Sequence, residues 1–472
     1  MSKGSRLRIA LSSLMVLISL PAWAVPDEMS KIDEFVRAEM ERQKVPGVAI
    51  AVIRGGKVVR AQGYGYANVE LKVPVGIDTI FQSGSTGKQF TAAGVMLLVE
   101  DGKINLDDPI SKYLPGTPAA FQEIKVRNLL THTSGVPNYT NIDIDYRRDY
   151  TEDEILQIIF KQQLEFAPGA RWKYSNPGYE MLGFLIHKVS GQFYGDFLHD
   201  RLFVPVGMKT TRIISEEDIV PNRAAGYRLV KGQLKNQQWV APSWNTTADG
   251  SLYYSINDLI AWNRALRMGT VLKPESWKQV YTPARLNSGK TYPYGFAWFL
   301  EPINGHEVHM HGGSWQGFKT VILRYPKNDL TVIALCNLAD ADPEKFTDGI
   351  VGIIAPELGK PKPVPIPDSE PMVTERVKRL LSAAAAGKLP VEEFANVRAG
   401  YMEFAGPYFK ELLQGSGEIQ KITLFERKEL GDDKVYRYEA TYAKKKFEVR
   451  FSLALDGKIS EFFALSLQEP VK

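Results

Sequence analysis

A proline occupies every second position from Pro361 to Pro367. Alternating prolines keep a chain extended and stiff, and they can continue neither a helix nor a central strand. We therefore expect a linker over residues 359–373, with one folded unit before it and another after it. At 472 residues the chain is long enough for two such units.

The unit before the linker, residues 25–358, has strand patterns at both ends and a helical middle. A helix near residues 28–43 leads into strands near 47–54 and 57–64. At the other end, strand patterns lie near residues 292–300, 306–311, 317–325 and 329–336. This order predicts an α+β domain in which both ends build one antiparallel sheet and a helical region is inserted between them.

The unit after the linker, residues 374–472, has a different pattern. A helix is predicted over residues 374–386, and Asp456-Gly457 is a strong two-residue turn signal. Strand patterns lie near residues 417–427, 433–443, 446–455 and 458–467. The pattern is similar to cystatin-like or nuclear-transport-factor-like folds. These patterns predict a small α+β domain. Because no catalytic constellation falls within it, we expect an accessory or packing module, with a ligand-binding module as the alternative.

The first of three short clusters, Ser85-Thr86-Gly87-Lys88, begins a helical pattern that runs to Glu100. Three residues are just under one helical turn, so Lys88 would lie on the same face as Ser85. A serine hydroxyl needs a neighbouring base to take its proton, and burial can lower the pKa of a lysine enough for that role. The free N–H of Ser85 would supply half of an oxyanion hole. The alternative is an ordinary helix cap beside a solvated lysine.

The second cluster, Tyr174-Ser175-Asn176, precedes a helical pattern over residues 179–189, and Pro177 is typical of a helix start. Tyr174 would act as a general base, either as a phenolate or by sharing a proton with Lys88. Asn176 would orient the lysine and a substrate amide. The alternative is an aromatic packing residue beside an ordinary helix cap.

The third cluster, His311-Gly312-Gly313, ends a strand pattern. Glycines at a strand end allow a substrate backbone to approach closely. The N–H of Ser314 would then complete the oxyanion hole that begins at Ser85.

A metal site is the competing interpretation of this region, because His306, His309 and His311 are half of the six histidines. No acidic or cysteine ligands accompany them at a zinc-site spacing. We therefore expect no metal and no cofactor.

Together the clusters resemble the motifs of the serine β-lactamase and penicillin-binding-protein superfamily. The similar branch includes class C β-lactamases, D-aminopeptidases, D,D-carboxypeptidases and β-lactamase-like esterases. Residues 129–135 and 248–255 resemble further motifs of that branch, and the resemblance covers about residues 28–356. It implies a β-lactamase-like fold for the first domain.

The resemblance also implies roles for the clustered residues. Ser85 would be the acylated nucleophile, Lys88 its activating partner and Tyr174 the general base or acid. Asn176 would position the substrate and the lysine. Substrate binding and the oxyanion hole would fall to His311, Gly312, Gly313 and Ser314.

The implied activity is hydrolysis of short esters, amides or peptides that contain D-amino acids. β-Lactam hydrolysis, and penicillin binding with little turnover, are the alternatives. In class C β-lactamases the third motif begins with lysine, whereas His311 is only partly charged near neutral pH. The chain is therefore more similar to the peptidase and esterase members.

Residues 1–24 carry three basic residues, then an apolar stretch over 9–20 and then Ala22-Trp23-Ala24. This pattern predicts a secretory signal peptide, cleaved after Ala24, and a periplasmic or secreted protein. The stretch is shorter than the roughly 20 apolar residues that a membrane span needs. We expect no span in the mature form.

Charge and cysteine content narrow the possible partners. The formal net charge is +4, and without the signal peptide's three basic residues it is +1. Such a charge gives no electrostatic case for nucleic-acid binding. Cys336 is the only cysteine, so no internal disulfide can form. We expect a small-molecule substrate as the partner, and the sequence indicates no oligomeric state.

Overall fold

The computed structural model of the chain describes residues 27–139, 142–214, 217–395 and 401–467. Its α-helices are α1 (Asp27–Gln43), α2 (Lys88–Glu100), α3 (Val126–Leu130), α4 (Glu152–Phe160), α5 (Asn176–Ser190), α6 (Tyr194–Leu198), α7 (Val204–Val206), α8 (Ile256–Met268), α9 (Pro274–Val280), α10 (Pro343–Ile354), α11 (Pro371–Ala385) and α12 (Tyr401–Leu413). Its strands are β1 (Gly47–Arg54), β2 (Lys57–Asn68), β3 (Val73–Pro74), β4 (Phe81–Gln82), β5 (Tyr227–Val230), β6 (Gln233–Asn236), β7 (Tyr253–Tyr254), β8 (Ala284–Arg285), β9 (Thr291–Tyr292), β10 (His309–Trp315), β11 (Phe318–Tyr325), β12 (Leu330–Cys336), β13 (Ile419–Leu430), β14 (Asp433–Tyr442), β15 (Lys446–Leu453) and β16 (Ile459–Leu467). The predicted signal peptide lies outside the described residues.

The main sheet is antiparallel and has the strand order β10-β11-β12-β1-β2-β3. Its strands come from both ends of the first domain, and β1 pairs with β12 with Ala49 opposite Leu335. Most of the α-helices of the domain lie between these two groups of strands in the chain. The predicted α+β class, with one sheet built from both ends, is confirmed.

Several predicted strands differ in their extent, among them β2, expected over 57–64, which continues to Asn68. The strand expected near residues 292–300 is only the two-residue β9, because the chain then turns through Pro293 and the positive φ of Ala297. The strand expected at 306–311 is β10, which continues to Trp315 because its glycines pair with β11. The third cluster therefore lies inside a strand.

Both faces of the central strand β1 are buried. Val48, Ile50 and Val52 belong to a core that includes α1 and α10. Ala49 and Ala51 belong to the second core, which the inserted helices share. Burial of each valine or isoleucine stabilises the fold by about 1.5–3 kcal/mol. This packing fixes β10 against the helical region.

Beyond residues 361–369, which are exposed and contain neither helix nor strand, lies a second sheet with the order β13-β14-β15-β16. Helices α11 and α12 pack on it around a separate core that includes Leu381, Phe409 and Phe451. Helix α12 was not predicted, because Gly406 and Pro407 interrupt its helical pattern.

No helix among the described residues is long and apolar enough to cross a membrane.

Candidate active site

Ser85 lies where the helical region meets the sheet. It belongs to a 3-10 turn, Gly84–Gly87, directly before α2, and it is the only partly exposed residue within 81–90. Strand β10 approaches this turn so closely that a Cβ on Gly84 would lie 2.2 Å from the Ser314 nitrogen. A Cβ on Gly313 would lie 2.1 Å from the Ser83 carbonyl oxygen and 3.0 Å from the Ser85 nitrogen. Glycine is needed at both positions, and the backbone N–H groups of Ser85 and Ser314 are brought close together.

Lys88 connects the first two clusters. Its side chain is fully buried, and its Nζ donates hydrogen bonds to Ser85 Oγ (3.1 Å), to Asn176 Oδ1 (2.7 Å) and to the backbone oxygen of Asp249. Burial lowers the pKa of Lys88 to about 8, although the negative charges of Asp249 and Glu180 oppose the shift. The uncharged amine, which is able to accept the Ser85 proton, is therefore accessible near neutral pH.

Tyr174 lies in the loop before α5, whose first turn Ser175 caps by accepting a hydrogen bond from the Gly178 N–H (3.2 Å). Lys88 Nζ is 5.0 Å from the centroid of the Tyr174 ring. Burial raises the pKa of Tyr174 above its usual range, although its interaction with the Ser85 side chain opposes the shift. A protonated phenol is therefore the stable form at neutral pH, which favours the proton-donor role over the phenolate.

His311 has both ring nitrogens engaged, and its side chain is only 1% exposed. Its Nδ1 lies 2.7 Å from the Gly312 carbonyl oxygen, so Nδ1 carries the proton and donates. When the ring is neutral, its Nε2 then accepts from the Tyr294 hydroxyl at 3.0 Å. Tyr294 also lies 3.1 Å from Nε2 of His132, whose Nδ1 accepts from the Ser175 N–H (3.2 Å). Hydrogen bonds therefore run in one direction, from His132 through Tyr294 to His311.

Both imidazoles are neutral in this arrangement. Burial, together with the nearby Lys88 charge, lowers the pKa of His311 to about 3 and holds that of His132 well below its usual value. A neutral, buried His311 does not offer the cation that a lysine would offer in its place.

A cavity of about 210 Å³ opens at Ser85. Its lining also includes Asn176, Ser314 and one charged residue, Asp249. Four aromatic residues, Tyr139, Tyr146, Trp244 and Trp315, also line it, together with Gly84, Asn138, Thr247, Gly250 and Ser251.

The structure brings Ser85, Lys88, Tyr174 and Asn176 together, with Gly313 and Ser314 beside them on β10. Gly312 precedes these two on the same strand, and the His311 ring does not line the cavity. No group of three His, Cys, Asp or Glu residues in the described ranges is arranged to hold a metal ion.

Sequence reasoning assigned no role to His132, Asp249 or Tyr294. His132 and Asp249 lie in the stretches 129–135 and 248–255, which resemble further motifs of the branch. That resemblance was the only sequence signal for a role of either residue. No sequence signal marks Tyr294, because its role depends on hydrogen bonds to the two histidines that the fold places around it.

Known proteins are similar to this chain in sequence. A model of the Beta-lactamase family matches residues 32–353. Penicillin-binding protein 4* of Bacillus subtilis (strain 168) is 31% identical over 315 residues, which are 63% of this chain and 69% of that protein. Protein flp of Staphylococcus aureus (strain MW2) is 27% identical over 325 residues, which are 66% of this chain and 64% of that protein. The chain thus spans about two thirds of the length of these relatives.

Solved structures share the fold. The D-amino acid amidase from Ochrobactrum anthropi SV3, complexed with D-phenylalanine, is 25% identical with a TM-score of 0.61, over 70% of this chain and 99% of that one. The octameric penicillin-binding protein homologue from Pyrococcus abyssi has a TM-score of 0.61 at 24% identity, over 93% of this chain and 96% of that one. With the family match, these findings show that the chain belongs to the Beta-lactamase family and is a serine hydrolase of the β-lactamase and penicillin-binding-protein superfamily.

Proposed function

We propose that the protein hydrolyses short esters or amides, including those of D-amino acids and their peptides, through an acyl-enzyme on Ser85. The observation that carries the proposal is the set of hydrogen bonds from the buried Lys88 Nζ to Ser85 Oγ and Asn176 Oδ1. The similarity to a D-amino acid amidase over 70% of the chain supports the substrate class.

In the proposed acylation, uncharged Lys88 accepts the Ser85 proton while Oγ attacks the substrate carbonyl carbon. The N–H groups of Ser85 and Ser314 donate to the oxyanion that forms. The Tyr174 phenol protonates the leaving group and regains a proton from Lys88. Water then attacks the ester, and the same groups transfer protons in the opposite direction until Ser85 is free.

The proposal includes export, which the charge and apolar pattern of residues 1–24 supports. Expression of the full chain in a bacterium, followed by sequencing of the exported protein's N-terminus, tests it. Cleavage after Ala24 is expected. Retention of the intact N-terminus in the cytoplasm would contradict export.

A β-lactamase or penicillin-sensing activity is the second candidate, supported by the 31% identity to a penicillin-binding protein. The cavity favours it less. β-Lactams carry a carboxylate, whereas Asp249 is the only charged residue in the cavity lining and His311 is neutral.

The deciding experiment combines turnover of p-nitrophenyl acetate and D-alanine p-nitroanilide with intact-mass measurement after exposure to benzylpenicillin. Ser85→Ala should lower turnover by at least about 10³-fold and leave the circular dichroism spectrum unchanged. Ser288→Ala, at an exposed serine, is the control and should behave as the wild type. Undiminished turnover in Ser85→Ala would refute the proposal. A lasting penicillin adduct that requires Ser85, without turnover of either substrate, would support the sensor instead.

A further inference from the structure

In the described part of the chain, Asp249 is the only charged residue that lines the cavity. Its side chain is partly exposed and lines the same space as Ser85. Lys88 uses the backbone oxygen of Asp249 and not its carboxylate. Within the described residues, the carboxylate has no hydrogen-bond or ion-pair partner. A carboxylate in such a position attracts a cation.

The wall around this carboxylate is suited to a cation. Trp244 packs against Tyr139 and Tyr146, with ring centroids 5.6 and 5.0 Å apart, and Tyr146 packs against Trp315 at 5.9 Å. Aromatic faces attract ammonium groups through their quadrupole, an effect that strengthens when water is excluded. The four rings therefore form one continuous aromatic wall beside the carboxylate.

Tyr139 adds a polar group that lacks a partner. Its side chain is 8% exposed, and its buried hydroxyl has no hydrogen-bond partner among the described residues. A phenol oxygen can accept a hydrogen bond from an ammonium group. Tyr139 lines the cavity, and its hydroxyl is one of several buried polar atoms without a partner among the described residues.

Asp249 is a close neighbour of the nucleophile. Its backbone oxygen and Ser85 Oγ both accept hydrogen bonds from Lys88 Nζ. Asp249 and Ser85 also line the same cavity, so a substrate bound at Ser85 lies in the cavity that Asp249 lines.

We propose that the cavity selects substrates with a free amino group next to the scissile carbonyl, and that the carboxylate of Asp249 binds the ammonium group within the aromatic wall. The substrate class is α-aminoacyl amides and esters, with N-acylated or carboxylate-bearing compounds disfavoured. The inference rests on the proposed function, because it assigns the substrate of that same site.

The test compares D-phenylalanine p-nitroanilide with its desamino analogue, 3-phenylpropanoyl p-nitroanilide, at pH 7, where most of the α-amine is charged. The ratio of the two kcat/KM values isolates recognition of the amine from any change in the chemistry. We expect wild type to favour the amine. Asp249→Asn should reduce the ratio by about 10- to 100-fold, the range for a hydrogen bond to a charged group. The matched control is Asp143→Asn, which removes the same charge from an exposed position outside the lining and should keep the ratio.

A second measurement is independent of turnover. Calorimetry on Ser85→Ala should show tighter binding of D-phenylalanine amide than of 3-phenylpropanamide, and Ser85→Ala/Asp249→Asn should lose the difference. If Ser85→Ala shows this difference in binding but the wild type hydrolyses neither anilide, the amine site is supported and the proposed hydrolase is refuted. Turnover with an equal or inverted wild-type ratio, or a ratio unchanged by Asp249→Asn, would overturn the amine site and leave the hydrolase standing.

Discussion

In the proposed mechanism one buried residue, Lys88, makes the serine reactive. A lysine charge in the protein interior is destabilised by the loss of water, which lowers the pKa to about 8. Asp249 and Glu180 limit this shift. The balance leaves an amine that is mostly protonated at pH 7 but is easily deprotonated. Tyr174, whose pKa burial shifts upward, is the less accessible base.

This difference predicts the pH dependence of the reaction. With a neutral ester such as p-nitrophenyl acetate, kcat/KM should rise with pH through about 8, because the active form of Lys88 is the deprotonated one. Below that value it should fall about tenfold per pH unit. Stopped-flow rates between pH 5 and 9.5 provide the measurement.

Lys88→Arg is the control for the pH profile, because a guanidinium remains charged throughout this range. The variant should lose both the rise and most of the activity. A wild-type plateau that extends down to pH 6.5, or a break near the usual histidine pKa, would contradict the assignment of Lys88 as the base. Burial lowers the pKa of both His311 and His132, so neither should contribute a break near the usual histidine pKa.

Among the elements, those whose patterns are local could be predicted from the sequence. Helix α2 and strand β1 have clear periodicity, and the predicted sheet is confirmed in the β10-β11-β12-β1-β2-β3 order. The sequence pattern predicted too long a strand where the chain turns after Pro293. It missed helix α12, because a glycine and a proline interrupt its helical pattern. The proposed amine site and the histidine network could not be predicted, because residues far apart in sequence meet there only after folding.

Tyr294 connects two elements, since its hydroxyl joins strand β10 to the segment after α3 through His311 and His132. Tyr294→Phe would leave a buried nitrogen of each ring without its partner. We expect unfolding free energy to fall by about 1–3 kcal/mol. Urea denaturation at pH 7 gives the measurement.

Tyr292→Phe is the matched control for this prediction. Tyr292 is two residues away and stacks on Trp172 at 4.1 Å, but none of the described hydrogen bonds involves its hydroxyl. Its loss should cost less than about 0.5 kcal/mol. Equal effects of the two substitutions would mean that the Tyr294 hydroxyl does not stabilise the histidines.

At the scale of the whole molecule, the second domain packs against the active-site loops. The turn between β13 and β14 follows Leu430, and the Gly431 N–H donates to the Thr291 oxygen at 3.2 Å. This turn and the loop of Tyr174 line a shared cavity of about 250 Å³. The second domain therefore contributes to the surroundings of the loop that carries Tyr174.

The ion pairs between the domains should differ in strength. Arg171 donates to both carboxylate oxygens of Asp433 at 3.0 Å, and both side chains are 25% exposed. The Lys290–Glu429 pair is more exposed, at 43% and 60%. Exposed pairs contribute about 0–1 kcal/mol and are screened by salt, whereas partly buried pairs are screened less.

Asp433→Asn should therefore lower the stability of the joined domains by about 1–2 kcal/mol, because it leaves the Arg171 guanidinium partly buried without its anion. Glu429→Gln should leave the stability close to that of the wild type, because this pair is exposed and solvent screens it. Thermal unfolding at low salt and at 0.5 M NaCl (roughly a 4 Å screening length) separates the two effects. The Asp433 effect should persist at high salt and the Glu429 effect should disappear. Equal losses, or a salt-sensitive Asp433 effect, would mean that Arg171–Asp433 behaves as an ordinary surface pair and that other contacts fix the second domain beside Tyr174.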